Sequence, residues 1–237
     1  MLLSLEDIAQ IDKYFIPYKN YYDNYHIGLY VAWKYTRCWT AINVGLHYRD
    51  AIDVYQRFFK KMVGFEPDKS FTKLQQHVKD LEYNNVTLHN IPLSDVGKER
   101  TFWTMSDKDR SRTEINPNLY LGGCSLNFNW ATEKGNNIVE FVPKKVYTQR
   151  LDYILSKTKV KNVDLIKIDA EKEDSRIVYG SENTINRWRP VIQIEYCDKK
   201  CEKFLNDKNY VELEFDVDLR NKTKSQPDRW FVPEERL

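Results

Sequence analysis

Residues 165–174 read LIKIDAEKED. Leu165, Ile166 and Ile168 read as a buried strand, and Asp169, Glu171, Glu173 and Asp174 then place four carboxylates in six positions. Like charges repel, so a core does not collect such a cluster. The C-terminal end of a strand, open to water or to a ligand, tolerates it. A carboxylate there can take the proton of a reacting hydroxyl as a general base. Asp169 and Glu171 are the candidates for that work. Glu173 and Asp174 have a plainer reading: they open the next helix, where acidic side chains complement the N-terminal N–H groups. A divalent cation held by Asp169 and Glu171 suits hard oxygen ligands. Two carboxylates do not make a metal site by themselves, and no metal is assigned.

Three further stretches carry chemistry. In NVGLHYRD (43–50), Gly45 follows a strand and lets backbone approach a ligand beside a helix N-terminus. An ordinary strand-to-helix turn reads the same way. His47 is a second candidate base, against the simpler role of a solvated loop histidine. In GFEPD (64–68), Glu66 ends a strand where a carboxylate can accept both hydroxyls of a ribose. In PLSDVGK (92–98), Ser94 and Asp95 end a third strand, near where the base of the same ligand would lie. Asp and Gly there also spell a plain turn.

These residues need a frame that brings strand ends together. From residue 40 apolar runs alternate with helical spacing. The expected strands are 40–45, 62–67, 86–93, 100–105, 163–169, 190–196, 210–217 and 228–233. The expected helices are 51–60, 69–81, 147–157, 174–188 (weak at Gly180) and 201–208. Such alternation implies parallel strands with right-handed crossovers, and ligands outside the carboxyl ends of the strands. The last two strands suit an antiparallel edge. Residues 106–145 read as an inserted loop region. Residues 1–39 form an extension, with a helix over 4–16 and an aromatic-rich segment over 14–39. That segment is either a flap packed on the domain or a wall of a pocket. The expected organisation is therefore an N-terminal extension (1–39) and one α/β domain (40–237).

The bulk properties narrow the class. The chain has 237 residues, 41% hydrophobic and 30% charged, with a net charge of +2. That balance argues against disorder and against a nucleic-acid partner. No run is long and apolar enough for a membrane span, and MLLSLEDIAQ lacks the features of a signal peptide. The four cysteines form no CxxC pair; they read as free thiols in a reducing, cytoplasmic setting. Nothing in the sequence sets an oligomeric state. A nicotinamide-dependent reductase would need a G-x-G-x-x-G fingerprint, and only Gly45 is present.

Taken in order, AINVG, VGFEPD, NVTLHNIPLSDVGKE, LDYIL, VDLIKIDAE and RPVIQIEY resemble the FkbM-type family of S-adenosylmethionine-dependent methyltransferases, over roughly residues 40–196. The resemblance implies a Rossmann-like class I methyltransferase fold with S-adenosylmethionine as cofactor. It implies O-methylation of a hydroxyl on a small-molecule or glycan acceptor. It assigns Asn43, Gly45, Leu46 and His47 to the methionine end of the cofactor, and Glu66 to its ribose with Pro67 and Asp68 alongside. Ser94 and Asp95 fall near adenine; Asp169 and Glu171 face the methyl group and the acceptor. Three positions depart from the family pattern. Asn43 stands for an Asp, Arg49 for the last Gly of the first motif, and Lys172 for the Gly after the acid. These departures are what an alternative would rest on, a binding or assembly module that keeps the fold without the cofactor.

Overall fold

A five-residue strand, Thr40–Val44, is buried along its whole length, and everything else is built outward from it. The computed structural model describes residues 2–3, 31–46, 50–110, 124–127, 140–215 and 228–237. In chain order these hold β1 (Leu2–Leu3), β2 (Thr40–Val44), α1 (Asp50–Phe58), β3 (Lys61–Phe65), α2 (Ser70–Asp80), β4 (Val86–His89), β5 (Glu99–Met105), β6 (Phe141–Tyr147), α3 (Leu151–Ser156), β7 (Leu165–Ile168), α4 (Asp174–Tyr179), α5 (Glu182–Trp188), β8 (Val191–Ile194), α6 (Lys199–Asn206), β9 (Tyr210–Glu212), β10 (Glu214–Phe215) and β11 (Arg229–Pro233).

Seven strands form one sheet in the order β4-β3-β2-β7-β8-β11-β9. The first five are mutually parallel, and β11 runs antiparallel between β8 and β9. The chain winds from β2 outward to β4, then returns to the other side of β2 at β7. The gap between the ends of β2 and β7 is therefore a topological switch point, where open sheets of this kind take ligands. The expected mostly parallel α/β sheet with an antiparallel C-terminal edge is what the chain forms.

Apolar residues fall on both faces of the central strands because both faces are covered. Ala41, Leu165 and Val191 face one core with Ala51, Ile52 and Tyr55 of α1. Ile42, Ile166 and Ile192 face the other, with Leu151, Ile177, Ile185 and Leu205 from α3 to α6. Fully burying one such side chain stabilises the fold by about 1.5–3 kcal/mol. Residues 31–35 are helical, and Val31, Ala32 and Tyr35 join the first core while Trp33 and Trp39 stay exposed. The expected helix over 4–16 and most of the aromatic segment lie outside the described residues.

Several boundaries differ from expectation for clear reasons. The 174–188 helix splits into α4 and α5 at Gly180, where a Cβ would sit 2.2 Å from the Ser94 carbonyl oxygen. Asp152 then caps α5 from α3, accepting from the amides of Asn183 and Thr184 at 2.9 Å each. The helix expected from residue 147 begins at Leu151, because Phe141–Tyr147 is a strand paired antiparallel with β5. The 106–145 excursion is thus not all loop; its described part ends in β6. The strand expected over 210–217 breaks at Leu213, and β10 leaves the main sheet to pair in parallel with β1.

Candidate functional site

The register of the sheet sets the site. Val44 is the partner of Phe65 and of Ile168, and Ile168 is the partner of Ile194. The next residue on each strand therefore falls in one row across four strands: Glu66, Gly45, Asp169 and Glu195. Backbone bonds hold the row: Gly45 N–H to Phe65 O (3.0 Å), Asp169 N–H to Val44 O (3.0 Å) and Glu195 N–H to Ile168 O (3.2 Å). Gly45 has φ +86°, and a Cβ there would meet the Asp169 carbonyl oxygen at 1.7 Å, so no other residue fits. Two residues back on the same face lies a second, buried row of Gly64, Asn43, Lys167 and Gln193.

That second row is polar inside an otherwise apolar layer. Gln193 is satisfied by Tyr55 (3.2 Å) and Asp228 (2.6 Å). The Lys167 ammonium, with its side chain 2% exposed, lies 2.9 Å from Asp169 Oδ2. Asn43 is 1% exposed, and neither its Oδ1 nor its Nδ2 has a hydrogen-bond partner. An unsatisfied buried polar atom costs about 1–3 kcal/mol, so this amide is poised for a partner from outside the fold.

Glu66 is buried, and one oxygen accepts the Asp68 amide at 2.8 Å. Burial pushes its carboxyl up to about 8, with the charges of Asp68 and Asp169 adding to the rise. Asp68 is buried too, but Thr104 and Arg110 bind it. Burial alone would raise its pKa, and those two partners outweigh burial and hold it below the usual carboxylate range. The Arg110 guanidinium sits 2.8 Å from Asp68 Oδ2. Pro67 beside them is half-buried. The excursion reaches the other half of the site as well, since the Ser125 hydroxyl donates to the Glu171 carbonyl at 2.6 Å. It therefore bridges the two sides of the switch point.

The turn after β7 is strained. Glu171 and Lys172 both have positive φ, +49° and +76°. Lys172 therefore occupies a backbone position that favours glycine, at a cost of about 1–2 kcal/mol, and its ammonium rests 3.5 Å from the centre of the Tyr196 ring. Asp174 Oδ atoms accept the amides of Ala170 (3.3 Å) and Lys172 (3.1 Å) and close the turn.

The residues expected at the site separate into groups. Gly45, Glu66 and Asp169 share one row, with Pro67, Asp68 and Glu171 adjoining it. Leu46 presents its side chain to the core instead, 1% exposed and packed over Gly64. Ser94 is fully buried, and its hydroxyl donates to Glu173 at 2.6 Å, beside α4. Asp95 next to it is half-buried, 3.8 Å from Arg176. His47 and Arg49 lie outside the described residues. Glu173 and Asp174 do open α4, as its N-cap and first residue, but both are buried rather than solvated, and Glu173 is bound by Ser94 and Arg100.

Glu195, Lys167, Thr104 and Arg110 escaped the sequence reading. Glu195 alone had a visible signal, since it follows an apolar run in QIEY as Asp169 does in KIDA. Among the described residues no group of three or more His, Cys, Asp or Glu is arranged to hold a metal ion. No described helix is long and apolar enough to cross a membrane.

A family model described as "Methyltransferase FkbM domain" matches residues 43–221. No curated protein matches the chain. Among solved structures, the methyltransferase FkbM from Methylobacillus flagellatus KT is 12% identical, with a TM-score of 0.47 over 81% of this chain. The matched part is 43% of that protein, so the chain spans under half its length. An rRNA methylase from Streptococcus thermophilus is 9% identical, with a TM-score of 0.43 over 88% of this chain and 93% of that one. A precorrin-6y C5,15-methyltransferase from Geobacter metallireducens GS-15 is also 9% identical, with a TM-score of 0.41 over 87% of each chain.

Proposed function

We propose, since the chain belongs to the methyltransferase FkbM domain family, that it uses S-adenosylmethionine to methylate a hydroxyl, on a sugar or glycan. The observation that carries this reading is the pair of rows at the switch point: Glu66, Gly45 and Asp169 at the rim, with the unpartnered Asn43 amide beneath. The residues present fit the cofactor. Glu66 would hold the ribose, its two carboxyl oxygens pairing with the two hydroxyls. The Asn43 amide would serve the methionine end, its Nδ2 donating to a carboxylate and its Oδ1 accepting from an ammonium. Gly45 keeps the floor between them free of side chain. When bound, the cofactor supplies an electrophilic methyl group with a neutral thioether as leaving group.

The chain's own residues do the rest. Asp169 accepts the proton of the acceptor hydroxyl as general base. Lys167 orients it from below by holding Oδ2. Asp169, Glu171 and Glu195 together offer several hydrogen-bond acceptors, which suits a polyhydroxylated substrate. Arg110 on Asp68 and Ser125 on Glu171 fix the two sides of the site, which holds the reactants in position. Four free thiols fit a cytoplasmic location.

Isothermal titration with S-adenosylmethionine and S-adenosylhomocysteine tests the binding half; the expected result is micromolar affinity. Transfer of labelled methyl to a panel of sugars and glycans tests the second half. A titration without heat, together with no thermal shift at saturating ligand, would refute the enzyme reading and favour a non-catalytic module.

A further inference from the structure

The rim row contains a residue with no role so far. Glu195 follows Ile194 as Asp169 follows Ile168, and its amide is fixed to the Ile168 carbonyl at 3.2 Å. Ile168 and Ile194 are lateral partners on adjacent parallel strands, so the Asp169 and Glu195 side chains that follow them stand side by side on one face of the sheet, where the two carboxyls interact. Two ionised carboxylates placed in this way repel, and one proton held between them relieves the repulsion. Lys167 decides where it resides. The buried ammonium is 2.9 Å from Asp169 Oδ2, so Asp169 is the ionised partner. Glu195 Oε2 is buried and has no hydrogen-bond partner, an environment that suits a neutral carboxyl.

We propose that Glu195 shares one proton with Asp169 and is a positioning residue for it, donating to one Asp169 oxygen while Lys167 holds the other side. This rests on Asp169 being the proton acceptor of the proposed reaction. The pair then carries a single negative charge through neutral pH. The groups facing it are Lys167 from β7, Glu171, Lys172 and Asp174 from the turn after β7, Glu66 from the end of β3 and Tyr196 beside Glu195. Burial, with the charge of Asp169 and those of Glu171 and Asp174, raises Glu195 well above its ordinary value. Proton accounting closes within the pair. Asp169 takes the hydroxyl proton and becomes neutral beside a neutral Glu195. One proton then leaves to water from Asp169, whose side chain is 36% exposed, and the single charge returns.

The test follows the side-chain carboxyl carbons of Asp and Glu by ¹³C NMR across the pH range, in the full chain and in Glu195→Gln and Asp169→Asn. The pair should titrate in two steps more than about one pH unit apart. Glu195→Gln should remove the upper step and leave Asp169 with a single low one. Asp169→Asn should bring Glu195 down toward its ordinary value, so either variant suffices if the other fails to fold. Two carboxyls that titrate independently at ordinary values, each unmoved by the other's substitution, would overturn the proposal. Cofactor calorimetry on the same samples keeps the two readings apart: coupled titration without cofactor binding upholds the pair and removes the methyltransferase reading.

Discussion

Asp174 gives the sharpest check on how this site is built. The side chain is fully buried and accepts two backbone amides. Burial, then the charge of Asp169, pushes its carboxyl from an ordinary 3.8 to about 8. A carboxyl raised in the fold favours folding while it is protonated. That contribution is complete below the unfolded value near 3.8 and is lost as pH rises through about 8. At about 1.4 kcal/mol per pH unit, the loss is at most about 6 kcal/mol. Asp174→Asn keeps the size and one acceptor oxygen but cannot ionise. Urea unfolding at pH 5 should therefore find the variant within about 1 kcal/mol of the parent, the worth of one hydrogen bond. At pH 9 the parent should have lost several kcal/mol more than the variant, which becomes the more stable protein. A variant weaker than the parent by the same margin at both pH values would refute the reasoning. It would mean that Asp174 is ionised in the fold and caps the turn as a carboxylate.

Glu66→Ala should weaken binding of S-adenosylmethionine by about 1.5–3 kcal/mol for each hydrogen bond lost, read by calorimetry, with folding retained. Lys172→Gly should be more stable than Lys172→Ala by about 1 kcal/mol in thermal unfolding; both lose the Tyr196 contact, so the difference isolates the positive φ of +76°. Glu173→Gln should cost several kcal/mol, because it breaks a buried ion pair with Arg100 and disturbs Ser94. A double-mutant cycle with Arg100→Met should show strong coupling between the two positions.

The parts of this fold that the sequence reveals are those whose cause is local. Val163–Ile168 and Val191–Ile194 announce two-sided burial because apolar residues fall on both faces, with only Asp164, Lys167 and Gln193 polar, and Gly45 announces a strand end. Glu66 and Asp169 are legible because an acid directly after such a run has no place in a core. What stays hidden has distant causes. Glu173 is legible as a helix-opening acid, but not as the buried partner of Ser94 and Arg100, which lie 79 and 73 residues away. Thr104 and Arg110 meet Asp68 from 36 and 42 residues along the chain, a contact that no local pattern announces. Strand β6 itself reads FVPKKVY, with Pro143 and two exposed lysines, and shows no alternation because most of it faces water. Leu46 has the right position in a motif but the wrong direction, since Gly64 opposite leaves a slot that its side chain fills.

The departures at Asn43 and Lys172 are consistent with the neighbours they meet. Asn43 and Lys167 are lateral partners on adjacent strands, with side chains on the same face. An aspartate at 43 would compete with Asp169 for the one buried ammonium beside it. The neutral amide cannot, and the ammonium is found on Asp169. Lys172 holds a glycine-type backbone conformation and places its own cation against Tyr196, next to Glu195. Both substitutions therefore act on the same balance of charge around the Asp169–Glu195 pair: one leaves a buried cation to Asp169, and the other brings a second cation to the rim. The register of the sheet collects the carboxylates after β7 and β8 in one place, and Lys167 and Lys172 bring cations that moderate them to the same place.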